Sequence, residues 1–451
     1  MKLTFAGGAR TVTGANYLLE TAESKVLIDC GLNQGSRVCE AENYNPFPYD
    51  PSTINALFIT HAHIDHVGRA PRLYKKGFRG DVFSTEPTKE FAEELLRDSQ
   101  DLLSREAKAA GRDILYDDKD IDEFLGLWKT NGYHKEILLR DLKITFFDAG
   151  HILGSASILV ETEGKRIIFS GDIGNSPAPL VKSPEKLQGM DYALIESAYG
   201  GRLHEDKAER KQILEDVIEE TVKRGGTLMI PAFAMERTQE LLYELNNLVE
   251  AGRIPHIPIF LDSPLAIKLT SIYNKYANNA EYINRESMDL FKAGDSIFRF
   301  PGLEFVLKTE DSKKIVERSG PKIIIAGSGM SNGGRIVRHE AHYLKDEKNT
   351  LLIIGYQAKG SLGRAILDGA KSVKIVGEDV PVRAQIQAIG GYSSHADQSE
   401  LLNWLRPMRD TLKNVFIVQG EEDQMDILQT AIRDKLAVDA SIPHIGDSIG
   451  L

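Results

Sequence analysis

The chain has 451 residues, 42% hydrophobic and 27% charged, which is length enough for two or three domains and apolar mass enough to bury their cores. Lys and Arg total 55 against 66 Asp and Glu, and the net charge of −11 argues against a protein that coats nucleic acid by bulk electrostatics, so that any such contact is expected in a local basic groove. Only Cys30 and Cys39 are present, which excludes a disulfide framework and a thiolate zinc finger and suits a reducing cytoplasm. The first residues lack the apolar core of a signal peptide and no run of about 18 apolar residues occurs, so a soluble, cytoplasmic protein without a membrane partner is expected.

In chain order, LTFAGG, NYLLET, KVLIDCG and NALFIT read as short strands, the last ending at His61. Helical spacing follows from Pro87 to Ala110, with Phe91, Leu95, Leu96, Leu102 and Leu103 as its apolar stripe. Strands return with LKITFFDAG, SASILVET, KRIIFSGDIG and MDYALIES, ending near Tyr199. From His204 the pattern becomes alternating helix and strand: a charged helix, GTLMIPAF, TQELLYELNNLVEAG, IPIFLDS, a helix from Leu265, KIIIAGSG, a helix after Gly334, and TLLIIGYQ. Such alternation predicts a parallel sheet covered by helices. AQIQAIGGYSSHADQSELLNWL and KNVFIVQGEE then close the chain as strand, helix and strand.

The strongest chemical signal is His61-Ala-His63-Ile-Asp65-His66 directly after a predicted strand. Positions two apart in an extended segment share a face, so His61 and His63 can address one metal while the turn brings Asp65 and His66 toward a second. His151 after FFDAG and Asp172 in FSGDIG stand at strand ends, where a scaffold presents rigid ligands. Neutral imidazoles with carboxylates suit zinc, although ligand type alone leaves manganese and iron open. Asp29, ending KVLID, is suited to accept a hydrogen bond from a ligand histidine and fix its ring.

These residues make the sequence resemble the metallo-β-lactamase superfamily, and within it the β-CASP nucleases of the bacterial and archaeal branch similar to cleavage and polyadenylation specificity factor. Asp29, the block from His61 to His66, His151 and Asp172 fall on that superfamily's four metal-site motifs. Glu196 in IESAYGGRLH matches the β-CASP acidic motif and His395 in GGYSSHADQ the family's catalytic histidine, with IPAFAMERTQELL, DSPLA, GSGMSNGGR and GYQAKGSLGR in support. The resemblance implies an α/β chain: an αββα sandwich formed by residues 1–203 and 386–451, with a β-CASP domain of mainly parallel sheet inserted at 204–385. It implies two Zn2+ ions, the first on His61, His63 and His151, the second on Asp65 and His66, with Asp172 bridging and Asp65, Glu196 and His395 counted as catalytic. It further implies RNA, in single-stranded form, as substrate in a cleft between the domains. Cleavage would leave 5′-phosphate and 3′-hydroxyl ends, with His395 protonating the leaving 3′-oxygen and Glu196 orienting it. The mode expected is endonucleolytic, with 5′-to-3′ exonuclease activity beside it, and a homodimer is the assembly that relatives raise.

The chain departs from the pattern at Val418-Gln419-Gly420-Glu421, where the family usually has a histidine that completes the second metal site. A glutamine offers only a neutral amide oxygen, a poorer zinc donor than imidazole, so either one strong metal alone or a weak second site is expected. Ala198 and Gly201 also replace a common Thr and Asp around the acidic motif. Ser328 and Arg335 in GSGMSNGGR, Lys359 and Arg364 in GYQAKGSLGR, and Arg237 in AFAMERTQ are candidate phosphate contacts; each has an alternative as turn geometry or an ordinary surface ion pair. His339 and His342, three apart on a predicted helix, read as a solvated face, His204 as a junction residue, and Cys30 as a small buried residue. Against the nuclease reading stand a small-molecule ester or lactam hydrolase of the same superfamily, which needs no inserted domain, and an RNA-binding protein with impaired catalysis, which Gln419 motivates.

Overall fold

Period-two alternation starts the first sheet: Leu3 and Phe5 of strand Lys2–Gly7 point inward and Lys2 and Thr4 outward. The computed structural model describes residues 1–35, 37–204, 207–292, 296–355, 357 and 360–451. It divides into two units, one formed by Met1–Leu203 with His395–Leu451, the other by His204–Ser394.

The first unit holds two seven-stranded sheets. One runs in the order Ser448–Gly450, Lys2–Gly7, Asn16–Glu20, Lys25–Ile28, Ala56–Phe58, Asp81–Ser84, Trp128–Thr130. The other runs Ala440–Ser441, Asn414–Ile417, Tyr192–Ile195, Lys165–Phe169, Ala156–Thr162, Leu142–Asp148, Glu136–Leu139. Each sheet is antiparallel on one side and parallel on the other. They face each other through aromatic rings: Phe5 meets Phe416, Tyr17 meets Phe169, and Phe58 meets Phe146 edge-on. Both need strands from the two ends of the chain, which is the expected αββα sandwich. Helices Gln398–Leu405 and Glu422–Leu436 cover the second sheet, burying Leu401, Leu405, Leu428 and Ile432 against Ile168, Ala193, Ile195 and Ile417. Helix Glu86–Ala109 starts at Thr85, whose hydroxyl accepts from Thr88 N, and buries Phe91, Ala92 and Leu96. Leu102, assigned to that stripe from sequence, is 54% exposed: past the first turns the buried face runs through Leu96, Gln100 and Ala107, and Leu102 lies about 120–160° around the helix from it.

The second unit is built on a six-stranded sheet, all parallel, in the order Leu303–Phe305, Ile259–Leu261, Lys322–Ala326, Thr227–Pro231, Thr350–Ile353, Gln385–Ala388. KIIIA and TLMIP are buried along their whole length, as central parallel strands covered on both faces must be. Gln385–Ala388 pairs with Thr350–Ile353, so residues just past the boundary expected at 385 belong to this sheet, and the unit continues through Ser394. Among the described residues no helix is long and apolar enough to cross a membrane.

Candidate metal centre

His61, His63, His151, Asp172 and Glu196 come from loops at strand ends of the first unit. His61 and His63 follow strand Ala56–Phe58, with His63 at the N-terminus of the short helix Ile64–Val67. His151 follows Leu142–Asp148, Asp172 follows Lys165–Phe169, and Glu196 follows Tyr192–Ile195. Glycines let these loops touch. A Cβ on Gly174 would sit 1.7 Å from Gly150 O, and one on Gly31 would sit 1.5 Å from Asp65 O, so both contacts are closed to any larger residue.

The loops bring His61, His63, His151 and Asp172 into one set. His63 Nδ1 lies 3.0 Å from His61 Nε2 and 3.2 Å from His151 Nε2. Asp172 Oδ2 lies 3.4 Å from His61 Nε2 and 3.5 Å from His151 Nε2. Donors held tetrahedrally at about 2.0–2.1 Å from one ion are separated by about 3.3–3.4 Å, so this set has the dimensions of a four-coordinate site. Its protonation also fits. Burial pushes the pKa of all three imidazoles down, helped by His66 at His61, by His61 at His63 and by His395 at His151. Burial opposes ionisation of Asp172, but His66, His61 and His395 override it and hold the carboxyl well below its usual range. Neutral imidazoles and an ionised carboxylate are the forms that bind metal.

Asp29 organises the rings from behind, at a left-handed φ of 60°. It accepts from Thr60 N and Thr60 Oγ1, both at 2.8 Å, and lies 2.7 Å from His66 Nδ1. Because the Thr60 hydroxyl donates to Asp29, it accepts from His61 Nδ1 at 3.0 Å, which directs the Nε2 lone pair of His61 into the centre. Sequence reasoning missed Thr60; its only signal was its place immediately before His61.

Asp65 and His66 are placed differently. His66 Nε2 is 3.3 Å from Asp172 Oδ1, but no set of mutually close ligand atoms among the described residues unites Asp65, His66 and Asp172. Gln419 stands at that corner. Its Nε2 is 2.8 Å from His66 Nε2 and 3.2 Å from Asp172 Oδ1, and its Oε1 accepts from Tyr17 OH at 3.2 Å. Tyr17 too was missed, being 402 positions away in sequence.

Glu196 and His395 form a second group with Asp172. Glu196 accepts from Ile173 N at 2.8 Å and Ala198 N at 3.3 Å, while His395 Nδ1 lies 3.1 and 3.2 Å from its two oxygens. Burial raises the pKa of Glu196 against the pull of His395. For His395, burial lowers the pKa but Glu196 and Asp172 outweigh it and push it up to about 9. The main chain that carries it is fixed by pairing between Gly174 and His395, by Ala396 N on Ile173 O, and by the helix that Asp397 caps. Its side chain keeps 26% of its surface exposed, as a group that meets a substrate needs.

The expected phosphate contacts lie in the second unit. Arg335 directs Nη1 to Asp262 Oδ1 and Val306 O and Nη2 to Leu307 O. Arg364 is exposed and paired with Asp368. Arg237 is buried at the start of helix Arg237–Glu250, and the Ser328 hydroxyl accepts from Asn332 N. Lys359 lies outside the described residues. His339 is buried on Asp262, which corrects its reading as part of a solvated face: a carboxylate draws it inward.

Comparison with known proteins places this geometry. The Metallo-beta-lactamase superfamily model matches residues 10–218, the Beta-Casp domain model 238–366, and the Zn-dependent metallo-hydrolase RNA specificity domain model 379–443. Ribonuclease TTHA0252 of Thermus thermophilus is 38% identical, with 94% of each chain covered. An RNase J-like protein of Methanocaldococcus jannaschii is 30% identical, with 98% of each chain covered. The transcription termination factor FttA of Methanosarcina mazei is 32% identical over 97% of this chain and 70% of its own. A crystal structure of an Enterococcus faecalis protein of unknown function shares the fold, at a TM-score of 0.56 and 10% identity. The chain therefore belongs to the β-CASP family of RNA nucleases of the metallo-β-lactamase superfamily.

Proposed function

We propose that this protein hydrolyses phosphodiester bonds of single-stranded RNA with zinc, cutting internally and, as a second mode, degrading from the 5′ end. The observation that carries the reading is the close set of His61, His63, His151 and Asp172 sharing its aspartate with the Glu196–His395 pair. RNA as the substrate is supported by the RNA specificity domain model and by relatives bearing the name ribonuclease. A divalent ion on that set would polarise the phosphoryl oxygens and lower the pKa of water, generating the nucleophile.

The chain's own residues handle the leaving group. As water oxygen bonds to phosphorus, the bond to the 3′-oxygen breaks and that oxygen needs a proton. His395 is charged at neutral pH and can deliver it. Its Nδ1 is held by Glu196, so Nε2 is the nitrogen that addresses the departing oxygen. Glu196 serves as the positioning residue, and the products carry a 5′-phosphate and a 3′-hydroxyl.

The test is zinc-loaded protein with RNA labelled separately at each end, in 5′-triphosphate and 5′-monophosphate forms. Internal products from both forms, abolished by chelation, are expected. Intact RNA beside rapid hydrolysis of a lactone or β-lactam would overturn the reading in favour of a small-molecule hydrolase.

A further inference from the structure

The corner occupied by Gln419 is prepared as half of a metal site and then closed. Asp29 can only accept hydrogen bonds, and its 2.7 Å contact with His66 fixes a hydrogen on Nδ1 of that ring. Nε2 then carries a lone pair aimed at Asp172, the arrangement of a metal ligand with its rear nitrogen anchored.

The group that meets it is the Gln419 side-chain amide. Asp172 Oδ1 accepts from Gln419 Nε2 at 3.2 Å, which decides the orientation of the amide, since a carboxylate repels an amide oxygen. Tyr17 OH donates to Oε1 from the opposite side. Both ends are thus held with the NH2 edge inward and the oxygen, the only atom able to bind a metal, turned to Tyr17. The nitrogen approaches His66 Nε2 to 2.8 Å, which suits a hydrogen bond into the lone pair. An ion about 2.0–2.1 Å from each of two nitrogens would need them farther apart.

The main chain keeps the amide in place. Gln419 is 4% exposed, sits at a left-handed φ of 50°, donates its N–H to Gly8 O at 2.7 Å and accepts from Ser197 N at 3.3 Å. The neighbouring pair Glu196 and His395 also gathers at Asp172, with His395 Nδ1 on Glu196 and the Glu196 oxygens also accepting from Ile173 N and Ala198 N.

We propose that Gln419, oriented by Tyr17 and Asp172, is a neutral substitute for a second cation, so that this centre takes one divalent ion. The amide donates to His66 and Asp172 the hydrogens that stand in for the missing charge. This rests on reading His61, His63, His151 and Asp172 as a metal centre, and the experiment separates the two.

Purified protein is dialysed against Zn2+ alone, and bound metal per chain is counted by elemental analysis and native mass spectrometry. Wild type, Gln419→His, Gln419→Glu, Tyr17→Phe and His63→Ala are compared, each checked for a native thermal transition. About one ion is expected in wild type and about two in Gln419→His or Gln419→Glu, whose inward atoms are metal donors. Occupancy between one and two is expected in Tyr17→Phe, which frees the amide oxygen to turn. His63→Ala should hold less than one. Two tightly bound ions in wild type would overturn this inference while leaving the metal centre intact; no ion in wild type would overturn the metal centre itself. One ion in wild type and in both folded Gln419 variants would remove Gln419 as the block, and unchanged occupancy in Tyr17→Phe would remove Tyr17 from it.

Discussion

Each unit of this protein gathers histidine and aspartate at strand ends, and the two clusters differ in where the balancing positive charge comes from. In the second unit Asp262, fully buried after strand Ile259–Leu261, accepts from Arg335 Nη1 at 2.7 Å, His339 Nε2 at 2.7 Å and Ser312 Oγ at 2.6 Å. Burial would raise its pKa, but those three hydrogen bonds hold it below the usual value. That cluster neutralises itself. In the first unit His63 Nδ1 faces His61 Nε2 and His151 Nε2 at 3.0 and 3.2 Å, and Asp172 is met, among the described residues, by histidines and Gln419 and by no arginine. Nitrogens with inward lone pairs repel unless a cation sits between them. The same residue types therefore read as a metal centre in one place and as a structural ion pair in the other, and the deciding feature is the guanidinium.

The sharpest way to break this comparison is to remove a ligand from the first cluster. His63→Ala should empty the centre and lower RNA cleavage by about 10³-fold or more, since the charge stabilisation lost is several kcal/mol. Full metal content in the folded variant, measured by elemental analysis, would end the distinction between the clusters. Asp262→Ala should leave metal content unchanged and destabilise the protein by about 3–5 kcal/mol, because it strands a partly buried guanidinium; denaturant unfolding reads this, and Asp262→Asn should cost less. A loss below about 1 kcal/mol would show that the second cluster does not depend on its ion pair.

His395→Ala sharpens the contrast between holding metal and moving protons. It should reduce turnover by about 10²-fold while metal content stays at the wild-type level. The acid must be protonated to act, so wild-type turnover should fall as pH rises through about 9, the value to which Glu196 and Asp172 raise His395 against its burial. Glu196→Gln removes the partner that holds the proton, and the alkaline limb should move to lower pH. A limb that does not shift would detach Glu196 from His395.

The smallest effect concerns Glu340 in the second unit, whose Oε1 accepts from Ser331 while Oε2 has no partner. Burial raises its pKa to about 7 despite the Ser331 bond. A raised carboxyl stabilises the fold while neutral, so its contribution is present at acid pH and is lost as pH climbs from the ordinary carboxyl range through about 7. Glu340→Gln should flatten that slope; identical pH dependence of unfolding in both proteins would mean the group is hydrated.

Some of this was legible from residue order alone. The run from His61 to His66, and His151 and Asp172 after apolar strands, are local patterns that advertise metal chemistry, and alternating strand and helix signals after His204 foretold a parallel sheet. Glu196 and His395 carried no local signal strong enough and were reached through family resemblance, because their partnership spans 199 positions. Tertiary structure decided the rest: that Asp65 stands outside the closely gathered ligand atoms, that Arg335 turns to Asp262, and that Tyr17 and Asp172 present the nitrogen of Gln419, and not its oxygen, to His66. Strand and helix periodicity is a property of neighbouring residues and survives in the sequence. The direction of an amide or a guanidinium is set by hydrogen-bond partners that only folding brings within 3 Å or so.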